Sequence, residues 1–403
     1  MAGPTAKDLE MIPGYLEEQR DQAPDELQHY FLQFEDFWER KLWHELTNSL
    51  LEYFGHGESA PQRIGLFNTF IKTFSDKINQ LKLATLGLSA ASQYQGMESY
   101  WDIRGGSNRH LDLKERLKFL ESLADKVNKP SSQDAYVYAI VVVASVQLQL
   151  QDPPSARKKL DEAEHILDSF DTVETEVHAA FYRVNAEYYK SQQEFAAYYK
   201  NALLFLACVD LAKLPREECM QRAYDLAIAA LVSDSIYNFG ELLLHPILDS
   251  LVNTPQAWLR DLLFAFNRGD LAAYDVLAGN ISKNALLKEH QQFLYQKISL
   301  SALTEAVFRR PPQDRSMTFA AISQETKVQA NEIEHLIMKA LSLGLLRGTI
   351  DQVDQVAKIN WVQPKVLDMK QIEGMRGRLR DWDSSVNQLG NWIEGVGKDV
   401  WAA

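Results

Sequence analysis

Apolar residues recur three and four apart along most of this chain, and the pattern changes character twice before the end. From Gln28 to about Arg310 it is a succession of amphipathic segments of roughly 12 to 20 residues, the usual length of a globular helix. Breaker clusters rich in Gly, Pro, Ser or Asn separate them at Gly55–Pro61, Arg104–His110, Asn128–Gln133, Asp152–Ser155 and Arg309–Arg315, which predicts helical hairpins. Ala135–Val146 is the longest apolar run. Its valines fit helix or strand, and Val146 to Leu150 alternates as a strand does, but helical neighbours on both sides predict a buried helix. Trp258, Leu259, Leu262, Leu263 and Phe266 share one helical face that Gly269 ends, and Leu271, Tyr274 and Leu277 resume it on the next helix. One long helix is then expected over Ala285–Phe308, leading to Pro311-Pro312.

Between Ser316 and Pro364 the period shortens and mixes. Thr318 is placed to cap a short helix with Phe319 and Ile322 inward, Val328 fills a turn, and Asn331 is expected to start a second helix. Ile333, Leu336, Ile337, Ala340 and Leu341 line the buried face of that helix, and Gly344 supplies a left-handed stop. Strands are expected over Leu345–Ile350 and Val356–Val362, with Ala357, Ile359 and Trp361 alternating inward. That order is a winged helix. Its second helix shows Glu332, Glu334, His335 and Lys339 on the polar face, and its wing loop adds Asp351 and Asp354. Carboxylates there repel a phosphate backbone and leave little counter-ion release to drive DNA binding, so the module is expected to dock protein.

After Pro364 the pattern lengthens again. Ile372, Met375, Leu379, Trp382, Val386, Leu389, Ile393, Val396 and Val400 alternate three and four apart, a heptad seam. A helix lying on its own domain would carry the same stripe. Gly374, Gly377, Gly390, Gly395 and Gly397 each cost roughly 1 kcal/mol of helix propensity, so the free tail is expected to fray and to be held by other helices.

The fold class expected is mainly α: a right-handed TPR-like helical-repeat solenoid, then a winged helix, then a C-terminal helix. The recurrence of Tyr188-Tyr189-Lys190 as Tyr198-Tyr199-Lys200 supports paired helices, although the period is too irregular for a strict repeat consensus. The boundaries drawn are N-terminal repeats over 1–195, a second domain over 196–364 (helical part 196–312, winged helix 313–364) and a bundle helix over 365–403.

Composition narrows the partners. A formal net charge of −13 over 403 residues disfavours nucleic acid and anionic lipid. Residues 1–20 carry no signal pattern and no apolar run reaches bilayer length, so a soluble protein with no membrane partner is expected. Two cysteines, Cys208 and Cys219, fit a reduced setting, cytoplasm or nucleus. The search for chemistry fails at each motif. His44-Glu45-Leu46-Thr47-Asn48 has asparagine where a zinc motif needs its second histidine. His56-Gly57-Glu58 lacks the cysteine pair that would complete a deaminase site, and Gly397-Lys398 lacks the rest of a phosphate loop. No catalytic residue, cofactor or metal is expected, and the chain is not read as an enzyme.

Helical repeats, a winged helix and a C-terminal helix in that order resemble the PCI family, scaffold subunits shared by the proteasome lid, the COP9 signalosome and translation initiation factor three. The strings Lys41–Thr47, Tyr198–Leu203, Asn238–Pro246, Met338–Ser342 and Trp361–Pro364 are similar to those of the non-ATPase lid subunits of the proteasome's regulatory particle. The resemblance implies a non-catalytic scaffold for lid assembly and ubiquitin-dependent degradation. It implies that the winged helix packs beside other PCI subunits and that the tail joins the C-terminal helices of lid subunits, including the deubiquitinating metalloprotease pair. The partner-facing residues expected are Asn331, Glu334, His335 and Met338 on the second helix and Leu345, Arg347 and Thr349 on an exposed strand edge. On the tail they are Ile372, Met375, Leu379, Trp382, Val386, Leu389 and Ile393. The runner-up is a PCI subunit of the COP9 signalosome or a translation initiation complex, and a winged-helix nucleic-acid regulator comes third.

Overall fold

The computed structural model describes residues 11–92, 109–170, 174–252, 254–311, 314–364 and 369–401. The chain divides into two compact units, Met1–Lys213 and Leu214–Ala403. The expected break at Arg104–His110 lies mostly outside the described residues, as does Pro312.

The first unit is helical throughout its described residues. Gln133–Gln149 is its centre, buried on every side by Gln80–Ala91, Arg109–Val127, Pro153–Leu167 and Thr175–Ser191. The valine run is therefore helix: no strand lies beside it, and a helix satisfies its own backbone among apolar neighbours. Gln151 ends this hairpin in the left-handed region (φ 60°), and Asp152 caps the next helix by accepting from the Ser155 N–H. The Gly55–Pro61 break contains a 3-10 helix over Gly57–Gln62. Phe31, Phe34, Tyr53, Phe70 and Phe74 make a buried aromatic cluster, and Tyr53 donates to Gln62. The two tyrosine pairs differ in role. Tyr198 and Tyr199 are core, whereas Tyr188 and Tyr189 are half-buried and flank the Arg157 guanidinium, which also reaches Asn185 and donates to the Tyr189 hydroxyl at 3.1 Å.

In the second unit the Ala257–Arg268 and Leu271–Ile281 helices turn at Gly269, φ 66°, where a Cβ would lie 2.5 Å from the Ala302 Cα. The long helix expected over 285–308 is two, Ala285–Glu289 and Gln291–Arg309. His290 separates them: its ring Nδ1 and its backbone N–H both bond the Leu286 carbonyl, and this competition distorts one turn.

The winged helix packs around Met317, Phe319, Ile322, Ile333, Ile337, Ala340, Leu345, Leu346, Ala357 and Ile359. Thr318 caps the Phe319–Thr326 helix through the Ala321 N–H, as its position predicts. The second helix runs Ile333–Ser342, two residues later than Asn331, because residues 330–332 close a turn first. Gly344 adopts φ 70°. A strand unforeseen in the sequence, β1 (Ser316–Thr318), joins β2 (Leu346–Asp351) and β3 (Val356–Val362) in an antiparallel sheet of order β1-β3-β2. Three residues are too few to show alternation, so only the buried Met317 marks it. The inward alternation expected through Trp361 stops at Ile359. Arg347 pairs with Trp361 and Gly348 with Ile359, so Asn360 is extra and the bulge shifts phase: Val362 packs on the core and Trp361 is half-buried under Arg347. Gly348 fits this bulge because a Cβ would collide with the Lys358 carbonyl.

Met369–Trp401 is a single 33-residue helix, about 50 Å long. None of its five glycines interrupts the helix. All five lie off the seam, where Gly374, Gly377, Gly390 and Gly395 face open space, and the helix formers between them carry the propensity.

Candidate docking surfaces

The winged helix brings most of its expected partner-facing residues to two surfaces. On the first, His335 and Met338 (42% exposed) project from the second helix, while Asn331, expected on that helix, is exposed in the turn that precedes it. Glu334 is half-buried because it accepts from Gln352 Nε2 at 3.0 Å, which ties the wing to the helix. Asp351 accepts from the Asp354 N–H at 3.2 Å and shapes the wing tip, leaving Val353 almost wholly exposed. Glu332, Glu334, Asp351 and Asp354 make this surface acidic, with Lys339 and His335 as its nearby basic groups.

The second surface is the outer edge of β2, which pairs with no strand among the described residues. Arg347 and Thr349 are exposed there, and the Arg347 guanidinium lies 4.6 Å from the Trp361 ring centroid. Leu345 is not at this edge. It is 4% exposed, its N–H bonds the Ala340 carbonyl and its carbonyl accepts from Gln363, so the exposure expected for it is corrected: Gly344 turns the chain inward and buries the next side chain.

The tail places its seam in solvent. Every described side chain from Ile372 to Gly395 is exposed, among them Ile372, Met375, Leu379 (62%), Trp382 (66%), Val386, Leu389 and Ile393. The side chains of Val396 and Val400 lie outside the described residues. The helix thus presents a continuous apolar stripe to solvent. Trp392, exposed beside the seam, is one more aromatic that the heptad reading passed over.

The near-miss motifs have structural partners instead. Asn48 bonds His44 Nε2 at 3.2 Å and accepts from Lys82, while the His56 carbonyl accepts from Ser59 and Arg63. Burial pushes both the Cys208 and Cys219 thiols up, away from the reactive thiolate. Among the described residues no group of three or more His, Cys, Asp or Glu is placed to hold a metal, and no helix is long and apolar enough to cross a membrane. The most perturbed cation is Lys297, 1% exposed, whose ammonium donates to the Ala230, Leu231 and Ser233 carbonyls at 2.8, 3.1 and 2.6 Å. Tyr237, Phe239 and Phe293 surround it, and burial draws its pKa down to about 7. It caps the C-terminal end of the helix Arg216–Val232. The sequence held the signal: Lys297 stands on the stripe of Leu294, Ile298 and Ser301, where a charge must find acceptors.

Three family models match the chain in order: PSD13 N-terminal repeats over residues 30–263, the PCI domain over 271–361 and the Rpn9 C-terminal helix over 365–397. The chain is 40% identical over 386 residues to the "Probable 26S proteasome regulatory subunit rpn9" of Schizosaccharomyces pombe, covering 96% of this chain and 97% of that protein. It is 37% identical to the 26S proteasome regulatory subunit RPN9 of Saccharomyces cerevisiae, covering 95% and 96%. With the 26S proteasome non-ATPase regulatory subunit 13 homolog B of Arabidopsis thaliana it shares 35% identity, covering 96% and 99%.

Proposed function

This chain belongs to the family of 26S proteasome regulatory subunits named Rpn9 and non-ATPase subunit 13, and on that premise we propose that it is a structural, non-catalytic subunit of the regulatory-particle lid. It contributes to lid assembly, and through it to ubiquitin-dependent degradation. The winged helix meets another PCI subunit through the acidic helix-and-wing surface and the β2 edge. The tail enters a bundle with C-terminal helices of other lid subunits, the deubiquitinating metalloprotease pair among them. The protein works in cytoplasm and nucleus and uses neither nucleic acid nor membrane as a partner.

The observation that carries this reading is the exposed seam over Ile372–Ile393, in a segment that matches a family model of its own. A heptad seam left in water loses the apolar burial that would stabilise it, and facing helices restore that burial. Deleting residues 370–403 tests the reading. The shortened chain is expected to keep the thermal stability of its two units and to fail to co-purify with the regulatory particle from cells. Normal co-purification would overturn the bundle role.

A further inference from the structure

The tail's charges are divided along its length. Up to Arg380 the helix carries Lys370, Arg376, Arg378 and Arg380 against Glu373 alone; from Asp381 to Gly395 it carries Asp381, Asp383 and Glu394 and no cation. Cations first and anions later is the reverse of what the helix macrodipole rewards, so the helix gains nothing by itself from this order. A second helix of the same sequence running the opposite way does gain, since each basic half then lies against an acidic half.

The seam has a register that uses this. With Ile372 at an a position, Met375, Trp382 and Leu389 fall at d, and Arg376 and Asp383 fall at e, flanking the seam. Aligning Ile372 with Leu389 of a second, antiparallel copy brings Leu379 onto Trp382 and Val386 onto Met375. In an antiparallel pair, e positions face e positions. Arg376 of each copy then faces Asp383 of the other, twice by symmetry. A parallel pair instead sets the basic halves side by side.

We propose that two copies of this chain, when free of other subunits, pair through their tail helices in this antiparallel register. The pairing rests on the reading of the seam as an association face, and it covers that face until the final partners compete for it. A closed twofold contact of this kind stops at two chains.

Sedimentation of the purified full-length chain tests the proposal. A concentration-dependent dimer is expected, weakened by salt, and a chain ending at Pro364 is expected to be monomeric. Arg376→Asp should raise the dimer dissociation constant about tenfold, and adding Asp383→Arg should restore it, because the two reversed charges again face each other. With Cys208 and Cys219 replaced by serine, a mixture of Ile372→Cys and Leu389→Cys chains should cross-link while neither does so alone. A monomer at all concentrations, a dimer indifferent to the tail, or self-cross-linking of either cysteine variant would overturn the proposal. A monomer that still enters the regulatory particle removes this pairing and leaves the bundle reading standing. A tail-dependent dimer whose shortened chain still enters the particle does the opposite.

Discussion

At the C-terminal end of helix Arg216–Val232 three main-chain carbonyls converge on the ammonium of Lys297. Terminal carbonyls of a buried helix must be satisfied, and a lysine also complements the negative end of the dipole. Lys297→Met keeps the length of the side chain but leaves those acceptors unpaired, so a loss of about 1–3 kcal/mol is expected near neutral pH. The pH dependence has a definite sign. Burial holds the folded-state pKa near 7 against the ordinary 10.5, so between these values the unfolded chain binds more protons. Stability contributed through this group therefore rises with pH across that window. Denaturant melts of wild type and Lys297→Met from pH 7 to 10 check it: the gap between the two should widen as pH rises, and a constant gap would contradict the buried-cation account.

Among the described elements, the outer edge of β2 pairs with no strand and the tail's apolar seam is exposed. Replacing Arg347 and Thr349 by proline removes two backbone donors from β2, and proline is tolerated best where a strand has a free edge. If that edge accepts a strand from another subunit, incorporation into the regulatory particle falls while the unit still folds; unchanged incorporation would count against strand addition. For the tail, Leu379→Asp with Trp382→Asp places two charges on a face that is exposed in the single chain and desolvated in a helix pair or bundle. The melting temperature of the isolated chain is expected to stay put, whereas association should lose on the order of several kcal/mol. A drop in the melting temperature with assembly intact would mean that the seam packs on its own chain. Element types were legible because each follows a local period: the 3.6-residue stripe of the hairpins, Thr318 before a helix, Gly344 and Gly269 after one. The bulge at Asn360, the short β1 and the break at His290 were not, since each depends on what a neighbouring segment presents.

On the scale of the whole chain, a net charge of −13 and the acidic helix-and-wing surface set the expected response to nucleic acid. The full-length protein is expected to show no salt-sensitive retention of duplex DNA, because few cations are available to release counter-ions. A steep salt slope in a filter-binding assay would revive the regulator reading. Three family models in succession and relatives matched along nearly their whole length place the chain among proteasome regulatory subunits, and the translation-initiation and signalosome alternatives are not favoured.

The amino-acid sequence determined what periodicity and local stereochemistry can encode: helical hairpins, a winged helix with a carboxylate-bearing second helix, and a heptad seam, all within one chain of family-specific strings. Tertiary structure decided burial at positions where the local pattern was silent or misleading. Leu345 follows the glycine stop and reads as strand edge, yet the turn at Gly344 directs it into the core. Trp361 keeps the alternation of Ala357 and Ile359 in sequence and loses it in space, because one extra residue in β3 reverses every face after it. Lys297 stands on an apolar stripe, and only the folded chain brings it three carbonyls from more than sixty residues away. Periodicity is local and burial is not: a side chain's neighbours come from segments distant in sequence, and they settle which face, edge or charge ends inside.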